Sequence, residues 1–90
     1  MSEVLKSLMK RADDFIDYVS SEKFCAFSSI RRICDLQYDV NQYLESNPAN
    51  VYDVISLKDK FVIMGEILND MTLLETVSEI LDSFERYFED

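Results

Sequence analysis

Histidine and tryptophan are absent from this 90-residue chain, which holds one glycine, Gly65, and one proline, Pro48. Each scarcity excludes something. Without histidine, acid–base chemistry would fall to carboxylates, lysines or tyrosines. A cysteine nucleophile lacks its usual imidazole partner. A zinc site has only Cys25 and Cys34 to start from, with no other metal-type ligand near them. One glycine cannot build a phosphate-cradling loop, and the acids show no EF-hand spacing. The sequence therefore points away from an enzyme, and it implies no cofactor and no metal. The Asn-Gly and Asp-Gly pairs that close tight hairpins are missing too, which sets an all-β fold aside.

Long apolar runs are also missing. No window approaches the roughly 18 apolar residues of a membrane span. Met1-Ser2-Glu3-Val4-Leu5-Lys6 does not read as a signal peptide. The expectation is a cytoplasmic protein, in the host cytoplasm if the gene is a phage's. Cys25 and Cys34 stand nine residues apart in a segment that reads as helical. That is a rise of roughly 13 Å, whereas a disulfide needs Cα atoms within about 7 Å. They are expected to be free thiols, buried as small hydrophobes.

The apolar share is 48%, with six Phe and five Tyr. That suits one folded domain over residues 1–90 rather than a disordered acidic tail. A core in so short a chain is thin, so a homodimer is a reasonable expectation.

Periodicity favours helices. In residues 3–20, Leu5, Leu8, Met9, Ala12, Phe15, Ile16 and Val19 fall on one stripe. Ser20-Ser21-Glu22 reads as a break able to cap the next helix. In residues 24–45, Ala26, Phe27, Ile30, Ile33, Cys34, Val40 and Leu44 line a broad apolar face. Ser46-Asn47-Pro48-Ala49-Asn50 is the strongest turn signal, either a loop or a cap at Asn47 with Pro48 opening the helix. Residues 51–64 permit short strands, through Val51–Ser56 and Phe61-Val62-Ile63-Met64. Yet Leu57, Phe61, Met64 and Leu68 keep helical spacing, and Ser56-Leu57-Lys58-Asp59 approximates a capping box. Thr72-Leu73-Leu74-Glu75 is a fuller one. Behind it Leu74, Val77, Ile80, Leu81, Phe84 and Phe88 form one face. Asn69-Asp70 reads either as a weak point in one long helix or as its end. The fold expected is an all-α bundle of about four amphipathic helices, with α+β as the alternative.

The charge is uneven. Residues 1–32 carry five acids and six bases, a net +1, while residues 33–90 carry thirteen acids and three bases, a net −10. Such a field repels nucleic acid and anionic membrane and attracts basic proteins. The one basic knot, Arg31-Arg32 with Lys23, is too small for a phosphate-binding surface. On a helix turning about 100° per residue, with Glu75 at 0°, Glu79 falls near 40°, Asp82 near −20°, Glu89 near −40° and Glu85 near −80°. The apolar residues centre opposite. Glu66 and Asp70 extend this ridge if the preceding helix is continuous, and Asp35 and Asp39 form a shorter acidic pair. Surface helices ordinarily mix signs and gain a few tenths of a kcal/mol per Glu–Lys pair. Here only Arg86 interrupts the acids.

Size, acidity, the ridge Glu75, Glu79, Asp82 and Glu89, and the lack of catalytic equipment resemble the small acidic proteins with which phages imitate DNA. The Arn-like anti-restriction proteins of T-even phages are the nearest in character. DNA mimics share charge geometry rather than sequence, so no family residue carries over position by position. The resemblance implies a partner that is a basic DNA-binding protein, such as a restriction enzyme or nucleoid protein, with carboxylates standing where phosphates would. The competing expectation is a helical adaptor or antitoxin-like regulator. It would bind its partner through an apolar groove, with exposed aromatics such as Tyr38 or Tyr87 contributing.

Overall fold

The computed structural model describes residues 2–89 and contains four helices: α1 (Glu3–Val19), α2 (Ala26–Glu45), α3 (Val51–Ile67) and α4 (Met71–Glu89). Among the described residues there is no strand, so the α+β alternative for residues 51–64 does not hold. Helical packing of Val54, Leu57, Phe61 and Met64 into the core settles that segment. No described helix is long and apolar enough to cross a membrane.

The ends of the helices follow local chemistry. The Ser2 hydroxyl accepts from the Leu5 N–H and caps α1. Ser20 closes α1 rather than capping α2. Cys25 stands at the α2 N-cap with no side-chain cap. Instead its backbone N–H donates to the Tyr18 hydroxyl, 3.0 Å away. Asn47 takes a left-handed φ of 56° just past α2, and its N–H returns to the Leu44 carbonyl. Asparagine tolerates this conformation better than most residues. Asn50, not Asn47, caps α3, accepting from Tyr52 and Asp53.

Two expected capping boxes are displaced. Ser56 lies inside α3, its hydroxyl donating to the Tyr52 carbonyl. Thr72 lies inside the first turn of α4, because Asp70 takes the cap and accepts from the Leu73 N–H at 3.0 Å. The chain therefore breaks between α3 and α4, with Leu68 extended.

Side-chain meetings give the helix directions. Arg11 reaches Asp39, and Arg32 lies over the rings of Phe15 and Tyr18, so α1 and α2 run antiparallel. Lys58 reaches Glu85, Phe61 meets Phe84, and a Cβ at Gly65 would stand 3.8 Å from Val77, so α3 and α4 run antiparallel. Lys60 reaches Asp13, and one groove joins the starts of α1 and α3, so those two run parallel. Around the bundle the order is α1, α2, α4, α3, with α1 and α4 on one diagonal and α2 and α3 on the other. The core lies between them. Phe15, Phe61 and Phe84 are its largest fully buried side chains, and burying each is worth about 1.5–3 kcal/mol.

Two apolar expectations fail on α2. Phe27 is 85% exposed, and both cysteines, free thiols as expected, are exposed rather than buried. Ile33, Leu36 and Val40 define the buried face of α2. At about 100° per residue, Phe27 and Cys34 fall far round from it.

Candidate acidic interface

The ridge on α4 is built by a helix whose inner face, Leu73, Val77, Ile80 and Phe84, is packed against α2 and α3. That packing fixes the outward direction of Glu75, Glu79, Asp82 and Glu89. All four are exposed, and among the described residues none has a cation within ion-pairing distance. Arg86 falls on the same ridge, where its guanidinium donates to the Ser83 hydroxyl at 3.1 Å.

The other expected acids divide. Glu85 leans toward α3 and accepts from Lys58 at 3.1 Å. Asp70 is half-buried and occupied as the α4 cap. Glu66 is exposed on α3, but the break at Leu68–Asp70 separates it from the α4 ridge. The continuous extension through Glu66 and Asp70 is therefore corrected. Asp39 accepts from Arg11 at 2.6 Å, on the flank of α2 that faces α1. Asn41, which lines the α2–α4 groove with Arg86 and Tyr87, lies about 200° further round the helix. Exposed Asp35 shares the Asp39 side. The α2 pair thus sits apart from the ridge, with one member already neutralised.

The tyrosines differ from one another. Tyr38 is exposed. Tyr87 is half-buried and donates to the Pro48 carbonyl at 2.7 Å, tying the end of α4 to the α2–α3 turn. A groove of about 870 Å³ opens where α1 and α3 begin and α2 ends, with Leu8 and Tyr43 on its wall and the Arg11–Asp39 pair at its edge. Burial first, then Asp53 and Tyr87, push the Tyr43 phenol above its ordinary range. At the start of α2 the Ser28 N–H, then its hydroxyl, hold the Cys25 thiol below its ordinary range. Among the described residues no three His, Cys, Asp or Glu side chains gather as a metal cage.

Sequence reasoning missed one surface. The outer side of α3 carries Val51, Tyr52, Ile55, Val62 and Ile63, all exposed. Their signal was present: Val51, Ile55 and Val62 keep their own helical spacing on the side opposite Val54, Leu57, Phe61 and Met64. Compared with known protein families, curated proteins and solved structures, the chain matches none.

Proposed function

We propose that this chain is a non-enzymatic acidic binding module that occupies the DNA-binding surface of a basic protein. One observation carries the reading: Glu75, Glu79, Asp82 and Glu89 stand exposed and without a paired cation on one helix face. Successive carboxylates are separated along the axis by about 6, 4.5 and 10.5 Å at 1.5 Å per residue. Through space, helix residues three or four apart have Cβ atoms about 5–6 Å apart, on the order of the 6–7 Å between successive phosphates of a wound strand. Lysines and arginines that ordinarily meet phosphates would meet carboxylates instead. A restriction enzyme or a nucleoid protein is the partner class in keeping with the phage resemblance.

The test is charge reversal. The combined variant Glu75→Lys, Glu79→Lys and Asp82→Lys is compared with the parent for capture of basic DNA-binding proteins from nuclease-treated bacterial lysate. Captured protein is expected to fall at least about 100-fold, the loss of several charge contacts at about 1.4 kcal/mol per factor of ten. Helix content should stay unchanged by circular dichroism. Equal capture by a folded variant sinks the reading.

A second reading, the helical adaptor or antitoxin-like regulator, is favoured by the apolar outer side of α3. It requires a partner that stays bound at high salt.

A further inference from the structure

The outer side of α3 is an unpartnered face. α1 packs along one flank of the helix and α4 along the other, and the third side is open. On it Val51, Tyr52, Ile55, Val62 and Ile63 are between 37% and 80% exposed, and Met71, just beyond the helix, is 78% exposed. Five large apolar side chains on one side of a single helix exceed the scattered exposure usual on a surface.

The charges on this face say what fits it. Asp59 and Glu66 are exposed among the apolar residues, seven positions apart, which is two turns or about 10.5 Å. The bases of α3 do not share the face. Lys58 turns to Glu85 on α4, and Lys60 turns to Asp13 on α1. The face is therefore apolar with two negative points and no balancing cation.

A second copy of this chain fits it poorly. A two-fold interface brings the same surface patch together. Asp59 is the midpoint of Val51–Ile67, so an antiparallel α3–α3 contact would set Asp59 against its own copy, in a chain already at −9. An apolar helix with lysine or arginine about two turns apart is complementary on both counts.

We infer that the α3 face docks a basic amphipathic helix of another protein, through Val51, Ile55 and Val62, with Asp59 and Glu66 meeting its cations. This rests on the adaptor reading and not on the α4 ridge, so either can fail alone.

The probe is a labelled synthetic helical peptide with Leu at heptad a and d positions and Lys elsewhere. Its affinity for the full chain is measured by fluorescence anisotropy. Two further peptides carry the same Leu pattern with Glu, and the Leu/Lys composition scrambled. The Leu/Lys helix is expected to bind, and the double variant Ile55→Ser, Val62→Ser to bind it at least tenfold more weakly. The ridge-reversed variant should lose less than that. Circular dichroism establishes that each variant is folded. A Leu/Glu peptide that binds as tightly keeps the adaptor reading and overturns the basic partner. Equal binding of the scrambled peptide, no binding at all, or an unchanged affinity in the double variant overturns the proposal. Self-association through this face in sedimentation, abolished by the double variant, overturns it in favour of a second copy. Adsorption to phosphatidylglycerol vesicles in preference to the peptide overturns it in favour of a membrane.

Discussion

Helices α3 and α4 lie side by side and bury similar inner faces, yet their outer faces are opposites. Phe61 on α3 and Phe84 on α4 are both fully buried, with ring centroids 5.9 Å apart. Outside, α4 presents Glu75, Glu79, Asp82 and Glu89, while α3 presents Val51, Tyr52, Ile55, Val62 and Ile63. The core determines which residues a helix must hide. It does not determine what the helix shows. The part of α3 that the fold does not require to be apolar is apolar all the same, and the part of α4 that could mix signs is nearly all acidic.

The comparison can be broken most forcefully from inside. Phe61→Ala and Phe84→Ala should each lower unfolding free energy by about 3–5 kcal/mol, a lost aromatic plus a cavity. Urea denaturation reads this directly. A small effect from either would mean that the two inner faces are not equivalent.

The junction between the helices offers a milder intervention. Asp70→Ala removes the side-chain oxygen that accepts from the Leu73 N–H, and should lower stability by about 1 kcal/mol. Thr72→Ala should cost less, because Thr72 is inside the helix and does not cap it. If Thr72→Ala were the more damaging change, the helix would begin where the capping-box spacing places it.

The smallest effect sharpens the contrast of outer faces. Ile55→Ser and Val62→Ser should each lower stability by no more than about 1 kcal/mol, because side chains 40% and 37% exposed are only partly packed. A loss near 2 kcal/mol in the isolated chain would show that the α3 face is already covered, by a second copy if the loss depends on protein concentration.

Much of the fold was legible because two helices separate their residues cleanly. Leu5, Leu8, Ala12 and Phe15 mark α1, and Leu73, Val77, Ile80 and Phe84 mark α4. α3 resisted because apolar residues occupy both its sides, and short apolar runs such as Phe61-Val62-Ile63-Met64 cannot be told from a buried strand by periodicity. Phe27 and Cys34 mislead for a related reason: an apolar residue type does not by itself give an inward direction, and packing on α2 turns them out. The α4 ridge was readable from angles alone. The losses from it were not, because Arg11 meets Asp39 and Lys58 meets Glu85 across helices, and such meetings depend on tertiary register. The α3 face went unread because exposure follows from which neighbours pack where, and that order around the bundle is not written in any single helix.

The most direct test of the central claim is salt-stepped elution. The tagged chain is incubated with nuclease-treated bacterial lysate and washed at low and then high salt. A parallel sample is challenged with duplex DNA, and the released proteins are identified by mass spectrometry. Exposed charges are screened over about 8 Å at physiological ionic strength, so a ridge that replaces phosphates should release basic DNA-binding proteins at high salt and also on addition of DNA. A neutral partner that survives high salt and ignores DNA would contradict the account and leave α3, not α4, as the working face.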